Sequence, residues 1–197
     1  MPSRHSPPLR VVTNPRPTPL VSNAVLGTSI FIFTEAMLFA GLISAHTIAR
    51  ASAPLGWPPP GQPRLPFEET ALNTAALLAS GMAVFLAQRT FRRDRRRALV
   101  PLCLAVALGA GFVGFQGVEW VQLIREGLTL TSSTHGAFFY LIVGVHALHA
   151  IAALLALGWA AMRLRNGVLP PSAFAAVALF WYFVVGVWPV IYLRVYA

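Results

Sequence analysis

The stretch THGAFFYLIVGVHALHAIAALLALGW, residues 134–159, decides the fold. A helix rises about 1.5 Å per residue, so roughly 20 apolar residues cross a hydrocarbon core about 30 Å thick. This stretch has 26 residues and is long enough to cross a membrane as one helix, yet it contains His135, His146 and His149. His146 and His149 are three residues apart and share one helix face. Because imidazole is costly to bury in lipid, that face is predicted to point toward other helices.

The composition of the whole chain is that of a membrane protein. Of its 197 residues, 56% are hydrophobic and 11% are charged, which is too apolar for a soluble domain of this size. The apolar runs are continuous and show no period-two alternation, which favours helices over barrel strands. We therefore predict an all-α polytopic membrane protein whose domain, residues 21–197, is a bundle of five transmembrane helices at about 25–48, 71–88, 98–123, 134–162 and 172–194.

The basic residues indicate an orientation. All 15 are arginines, and they lie in the N-terminal segment and at the ends of the apolar runs. Eleven lie in the N-terminal segment and in the loops after the second and fourth spans, and four lie on the other side. By the positive-inside rule, the N-terminus is predicted to be cytoplasmic and the C-terminus outside. This placement of the arginines explains the net charge of +9 without a nucleic-acid partner. Residues 1–20 are rich in proline and are expected to form a cytoplasmic tail.

Two acids are predicted to pair with histidines of the fourth span. Glu35 lies about 15 Å deep in the first span, near the level of His146, so we expect it to contact His146 or His149. It is interpreted either as a neutral packing group or as a proton-linked one. Glu119 reaches the outer end of the third span, where the fourth begins, so we expect it to lie close to His135.

The sequence contains no pattern typical of a catalytic centre. It has no phosphate loop, nucleophile elbow or HExxH pair, and its one cysteine, Cys103, excludes an intrachain disulfide. A bis-histidine haem needs ligands on facing helices at one depth. His46 could meet His135 near the outer side, but the deeper histidines have no such partner on another span. We predict no catalytic residue, cofactor site or metal site, and small-residue faces on the second and third spans that permit close helix packing.

Six motifs follow one another along the chain: FTEAMLFAG, GWPPPG, LNTAALLASG, GFQGVEW, STHGAFFYLIVGVHALHAIAA and FWYFVVGVW. In the order and spacing of these motifs the chain resembles subunit III of the haem-copper terminal oxidases, most closely the cytochrome c oxidase form. The resemblance covers about residues 25–197.

The resemblance implies an accessory subunit without redox centres. Such a subunit packs on the catalytic subunit I, which holds the haems and copper, in a complex that also contains subunit II. It is thought to sustain proton uptake and to bind phospholipid, and Glu35 corresponds to the family's intramembrane carboxylate. We therefore expect a multi-pass protein of the bacterial plasma membrane.

Other functions stay open at this point. The five-helix length is also that of relatives associated with quinol oxidases and nitric oxide reductases, because longer members carry two further helices. The span after Pro171 has Tyr182 and Val185 where the family has a histidine and an aspartate. From different classes, the chain could be an independent haem-binding membrane anchor, or a proton-coupled transporter built around Glu35, although the inverted repeats of transporters are absent from the sequence.

Overall fold

Five long α-helices make up most of the chain that the structure describes. The computed structural model describes residues 21–54, 56–63 and 65–196, and the tail predicted for residues 1–20 lies outside them. The helices are α1 (Asn23–Ala51), α2 (Phe67–Phe91), α3 (Leu99–Arg125), α4 (Thr134–Arg165) and α5 (Pro171–Ile191), and a π-helical turn (Tyr192–Tyr196) continues α5. All five are long and apolar enough to cross a membrane. The predicted all-α fold with five membrane spans is confirmed.

The helices extend beyond the predicted apolar runs because polar residues and prolines start them. Ser22 caps α1 by accepting a hydrogen bond from the Val25 amide at 3.4 Å, and Ser133 caps α4 by accepting one from the Gly136 amide at 3.1 Å. Pro171 begins α5, since a first-turn residue needs no amide donor. These caps lie at the ends of the spans, where the chain leaves the apolar layer.

The helix α5 is the centre of the bundle. It packs against α1, α2 and α4, while α3 packs against α2 and α4. Trp181 and Trp188 of α5 are 0% exposed and fill the space between these helices. The ring of Trp181 approaches α3 so closely that a Cβ added to Gly109 would lie 2.7 Å from its Cη2 atom. The small residue at this point of α3 therefore makes the close approach possible.

The buried face of α2 is polar. Ser80 Oγ donates to the Ala105 carbonyl of α3 at 2.8 Å and accepts a hydrogen bond from Trp181 Nε1 at 3.1 Å. Trp188 Nε1 donates to Thr74 Oγ1 at 2.8 Å. The small-residue face predicted for this span includes four alanines spaced four residues apart, of which Ala83 is buried and three are exposed on the outside of the bundle: Ala71, Ala75 and Ala79. Hydrogen bonds such as those of Ser80 and Thr74 join helices in a bilayer, where the hydrophobic effect between spans is weak.

The helix α1 lies at the edge of the bundle and packs against α5 and α4. Its buried residues are Phe39 and His46, and most of its other side chains are exposed to the surroundings of the bundle. The chain between α1 and α2 crosses the same end of the bundle, where Gln62 Oε1 accepts hydrogen bonds from Ser132 Oγ at 3.2 Å and Ser133 Oγ at 3.3 Å. This end contains the start of α4 and therefore His135.

Candidate functional site

An acid and a histidine meet in the middle of the membrane spans. Glu35 Oε2 of α1 lies 3.0 Å from His149 Nε2 of α4, and the two side chains are 18% and 12% exposed. The expected proximity of Glu35 to a histidine of α4 is confirmed, and the partner is His149. The contact satisfies the distance of an ion pair, but its N–H direction does not satisfy a hydrogen bond. The pair is therefore held by charge and packing more than by a directed bond.

Aromatic rings enclose the imidazole of His149. The rings of Phe31 and Phe39 on α1 lie 6.2 and 5.6 Å from it, and those of Phe180 and Phe183 on α5 both lie 6.3 Å from it. These rings belong to α1, which also carries Glu35, and to α5, which packs against both α1 and α4. Such an environment has a low dielectric constant, which strengthens the attraction between the acid and the base and raises the cost of separating them.

A backbone hydrogen bond orients the imidazole of His149. The Val145 carbonyl lies 2.8 Å from His149 Nδ1. Because a carbonyl can accept but not donate, Nδ1 carries a hydrogen and donates it. This bond within α4 leaves the other ring nitrogen, Nε2, facing Glu35 at 3.0 Å.

His146, one turn before His149, occupies a different environment. It is 1% exposed, its ring lies 5.0 Å from that of Trp188 and 6.2 Å from that of Phe39, and neither of its nitrogens has a hydrogen-bond partner among the described residues. The alternative contact of Glu35 with His146 does not form, because His146 faces the core between α3, α4 and α5. Its observed contacts are those of an aromatic packing residue.

A second buried acid lies near the end of the bundle. Glu119 of α3 is 2% exposed, and both of its carboxylate oxygens accept hydrogen bonds. Thr70 Oγ1 of α2 donates to Oε1 at 2.7 Å, and Gln116 Nε2 donates to Oε2 at 2.6 Å. The same Gln116 Nε2 lies 3.0 Å from the Tyr196 hydroxyl in the π-helical turn. This network joins α2, α3 and the last turn of the described chain.

Glu119 and His135 do not bond directly to one another. Among the described residues no ion pair or hydrogen bond joins them, and the Glu119 carboxylate accepts from Thr70 and Gln116 instead. The expected closeness of the two residues stays a prediction. His135 instead packs its ring against Trp57, at 5.0 Å, and Trp57 in turn lies 5.4 Å from the ring of His46. The rings of His46 and His135 therefore both contact Trp57, which lies in the α1–α2 connection.

Sequence reasoning missed Thr70 and Tyr196 as members of the Glu119 network. The sequence indicates Thr70 only as part of a helix start and Tyr196 only as an interfacial aromatic. The i, i+3 spacing of Gln116 and Glu119 does indicate a local pair. Nothing in the sequence indicates which neighbouring helices complete it.

Substitution of Glu119 by glutamine is expected to destabilise the bundle by about 2 kcal/mol. The amide nitrogen would meet donors where the carboxylate now accepts from Thr70 and Gln116. Thermal denaturation of the purified protein in detergent would measure the loss. Glu126, which is exposed in the following turn, provides the matched Glu126→Gln control, and equal stability of the two variants would contradict the assignment.

Titratable side chains do not gather into a metal-binding cluster in the part of the chain that the structure describes. No group of three or more histidine, cysteine, aspartate or glutamate side chains is placed to hold a metal ion there. The pairs that do form are Glu35 with His149 and the two outer histidines about Trp57. These contacts place polar side chains in the interior of the bundle and at one of its ends.

Comparison with known proteins identifies similar chains. Residues 16–197 match a protein family described as Cytochrome c oxidase subunit III. A probable cytochrome c oxidase subunit 3 of Nocardia farcinica is 34% identical over 185 residues, covering 87% of this chain and 86% of the relative. One of Mycobacterium leprae is 34% identical over 178 residues, with the same coverage. Cytochrome c oxidase subunit 3 of Gallus gallus is 33% identical over 189 residues, covering 91% of this chain and 71% of the relative.

Proposed function

Since the chain belongs to the cytochrome c oxidase subunit III family, we propose that it is the non-redox accessory subunit of a proton-pumping oxygen reductase. In this role it packs on the catalytic subunit I, in a complex with subunit II, and supports the stability and proton uptake of the complex during aerobic respiration. The observation that carries the proposal is the contact of Glu35 with His149, 3.0 Å apart in the middle of two membrane spans.

The position of this pair supports a role in proton uptake. An acid at the centre of a span costs roughly 2.5–3.5 kcal/mol in insertion, and such residues are commonly functional. Glu35 lies on α1, at the edge of the bundle, and its side chain is 18% exposed. It is therefore accessible from outside the bundle, while His149 anchors it to the interior. The acid and the base lie close enough to act together on the proton path that we propose.

The outer surface of the bundle supports packing against a partner. Gly111, Gly114 and Gly117 of α3 are exposed, and a Cβ added to any of them would meet no atom within 4 Å. Small residues on the outside of a membrane helix allow another helix to approach closely. The exposed alanines of α2 provide a second surface of this kind. We propose these faces as contacts for the other oxidase subunits.

We place the haems and copper in the partner subunits and propose phospholipid as a ligand of this chain. The orientation follows from the arginines: the α2–α3 connection, with Arg92, Arg93 and Arg95–Arg97, faces the cytoplasm. The C-terminus then faces the periplasm across a bacterial plasma membrane. The Nocardia and Mycobacterium relatives are bacterial proteins of similar length, which supports this location and a cytochrome c oxidase partner for a chain with five helices.

The functional test is the substitution Glu35→Ala in the intact complex. We expect the haem content to be unchanged and the activity to decline sooner during sustained turnover, because proton uptake no longer keeps pace with oxygen reduction. The measurement is oxygen consumption with reduced cytochrome c, followed to inactivation. Thr34→Ala is the matched control, since Thr34 is exposed one residue away and its hydroxyl bonds to its own helix at the Phe31 carbonyl.

Three results would overturn this proposal or part of it. An activity of Glu35→Ala that lasts as long as that of the Thr34→Ala control would exclude a role of the acid in turnover. Purification of the chain with its own haem absorbance and without other subunits would exclude the accessory role and favour a haem-binding anchor. Oxidation of quinol in place of cytochrome c would assign the same fold to a quinol oxidase.

A further inference from the structure

The geometry points to a binding site for a soluble diphosphate group in the connection between α2 and α3. Six of the nine residues from 89 to 97 are arginines. Three of them, spaced four residues apart, line one cavity of about 280 Å³ together with two other polar residues: Arg89, Thr90, Arg93, Asp94 and Arg97. We call this cavity the arginine pocket. The inference is separate from the accessory role proposed above, and only the supply of the ligand from the cytoplasm rests on the orientation proposed there.

Backbone hydrogen bonds shape the arginine pocket. The Thr90 carbonyl accepts hydrogen bonds from the amides of Arg93 at 2.9 Å and Asp94 at 2.7 Å. Asp94 Oδ1 in turn accepts from the amides of Arg96 at 2.9 Å and Arg97 at 3.3 Å. These bonds fold the chain directly after α2 into consecutive turns. The turns bring the side chains of Arg93 and Arg97 to the same cavity.

The wall of the arginine pocket has an excess of positive charge. Asp94 is its one acid among the described residues, so three guanidinium groups and one carboxylate leave a net charge of +2. Asp94 Oδ2 lies 3.2 Å from Arg97 Nε, but an arginine has five N–H donors and this contact cannot use them all. Arg89 and Arg93 form no ion pair within the part of the chain that the structure describes. The wall therefore offers both charge and hydrogen-bond donors to a ligand.

These charges and donors select a diphosphate. The planar fork of a guanidinium matches a pair of phosphate oxygens, and hydrogen bonds between ionised partners are among the strongest in proteins. A diphosphate has more acceptor oxygens and more negative charge than one phosphate or one carboxylate, and so it matches a wall with a net charge of +2. Orientation in the membrane requires arginines near the ends of spans, but it does not require three of them to line one cavity.

The composition of the wall favours a soluble ligand over a lipid headgroup. All of the described residues that line the arginine pocket are polar or charged, so the wall offers no surface to an acyl chain. The phosphodiester of a lipid also carries only one negative charge, less than the wall can neutralise. Inorganic pyrophosphate and a nucleotide such as ADP present the same diphosphate group. The experiment therefore tests both of these sources.

The test uses the full-length chain, purified with the subunits that accompany it, in phosphatidylcholine nanodiscs and in buffer without divalent cations. Isothermal titration calorimetry measures the binding of inorganic pyrophosphate at about 150 mM salt, where diffuse surface charge is largely screened. We expect Arg93→Gln to weaken binding about tenfold, the effect of one lost charge-assisted hydrogen bond. Arg92→Gln is the matched control, because Arg92 is an exposed neighbour outside the cavity wall. It should change the affinity by less than about twofold.

A second pair of variants and a second ligand extend the test. Arg97→Gln should weaken pyrophosphate binding as Arg93→Gln does, whereas Arg96→Gln, outside the wall, should not. ADP distinguishes the two sources of the diphosphate. Binding of ADP that is tighter than that of pyrophosphate, and weakened by Arg93→Gln, would assign the site to a nucleotide. Weaker binding of ADP would assign it to pyrophosphate itself.

Four results would overturn the proposal. The first is the absence of pyrophosphate and ADP binding to the wild type. The second is an equal loss in Arg92→Gln and Arg93→Gln, which would show that the ligand responds only to the total charge. The third is the loss of pyrophosphate binding in nanodiscs that contain phosphatidylglycerol as half of the lipid, which would show that lipid headgroups occupy the cavity. The fourth is tighter binding of a hexaglutamate peptide than of pyrophosphate, which would assign the surface to an acidic protein segment.

Discussion

Substitution of Trp181 by alanine is expected to destabilise the bundle by about 3 kcal/mol. Trp181 is 0% exposed and contacts α3 at Gly109 while its Nε1 donates to Ser80 of α2. When membrane helices separate, their apolar side chains are surrounded by lipid or detergent and not by water. The hydrophobic effect therefore contributes little to the stability lost in this variant. The loss comes from the cavity and from the hydrogen bond that Ser80 Oγ no longer accepts, while Ser80 still donates to the Ala105 carbonyl.

The measurement is the midpoint of thermal denaturation of the detergent-purified protein. Trp159→Ala is the matched control, because Trp159 is 41% exposed on α4 and its removal leaves no cavity. A second substitution tests the mechanism: Gly109→Leu should destabilise the wild type, where a Cβ would lie 2.7 Å from Trp181 Cη2, yet should be tolerated or stabilising when combined with Trp181→Ala. Equal effects of Gly109→Leu in both backgrounds would contradict the assigned contact.

Substitution of His149 by leucine is expected to weaken the attachment of α1 by about 2–3 kcal/mol, the scale of an uncompensated acid within a span. Glu35 loses the base 3.0 Å away, and the surrounding phenylalanine rings offer no hydrogen bond. The carboxyl must then take up a proton or move toward the surrounding lipid. Limited proteolysis of the α1–α2 connection and thermal denaturation would both report the loosened helix.

The double variant Glu35→Leu with His149→Leu separates pairing from packing. Replacing both members with apolar side chains removes the charge problem, so it should recover most of the stability lost in His149→Leu alone. Thr34→Leu, a change to an exposed polar residue of the same helix turn, should have no effect. Additive losses in the double variant would show that the two residues act independently and would refute the pair.

The number of helices could be predicted from the sequence because the chain contains five separate apolar runs, each about long enough to cross a membrane as one helix. Depth within the membrane could also be predicted, since the rise per residue is constant. That arithmetic places Glu35 at the level of the α4 histidines. It does not identify the bonding partners of Glu119, because depth does not determine the direction in which a side chain leaves its helix. Thr70 approaches Glu119 from α2, a helix whose rotation no sequence pattern determines.

The two departures from the family pattern on α5 have different consequences in the structure. The Tyr182 hydroxyl donates to Gln88 Oε1 of α2 at 2.9 Å, so a polar contact is made at this position. Val185 packs where a Cβ added to Gly81 would lie 3.1 Å from its Cγ1 atom. An apolar side chain and a glycine thus bring α2 and α5 together there. Neither contact could be predicted from the residues that the family carries at these positions.

The peripheral position of α1 constrains the biogenesis of the protein. This helix is translated before the helices it packs against, α4 and α5. Glu35 is therefore translated more than a hundred residues before His149. The contact between them can form only after α4 has been translated, so α1 must be kept near the later helices until then.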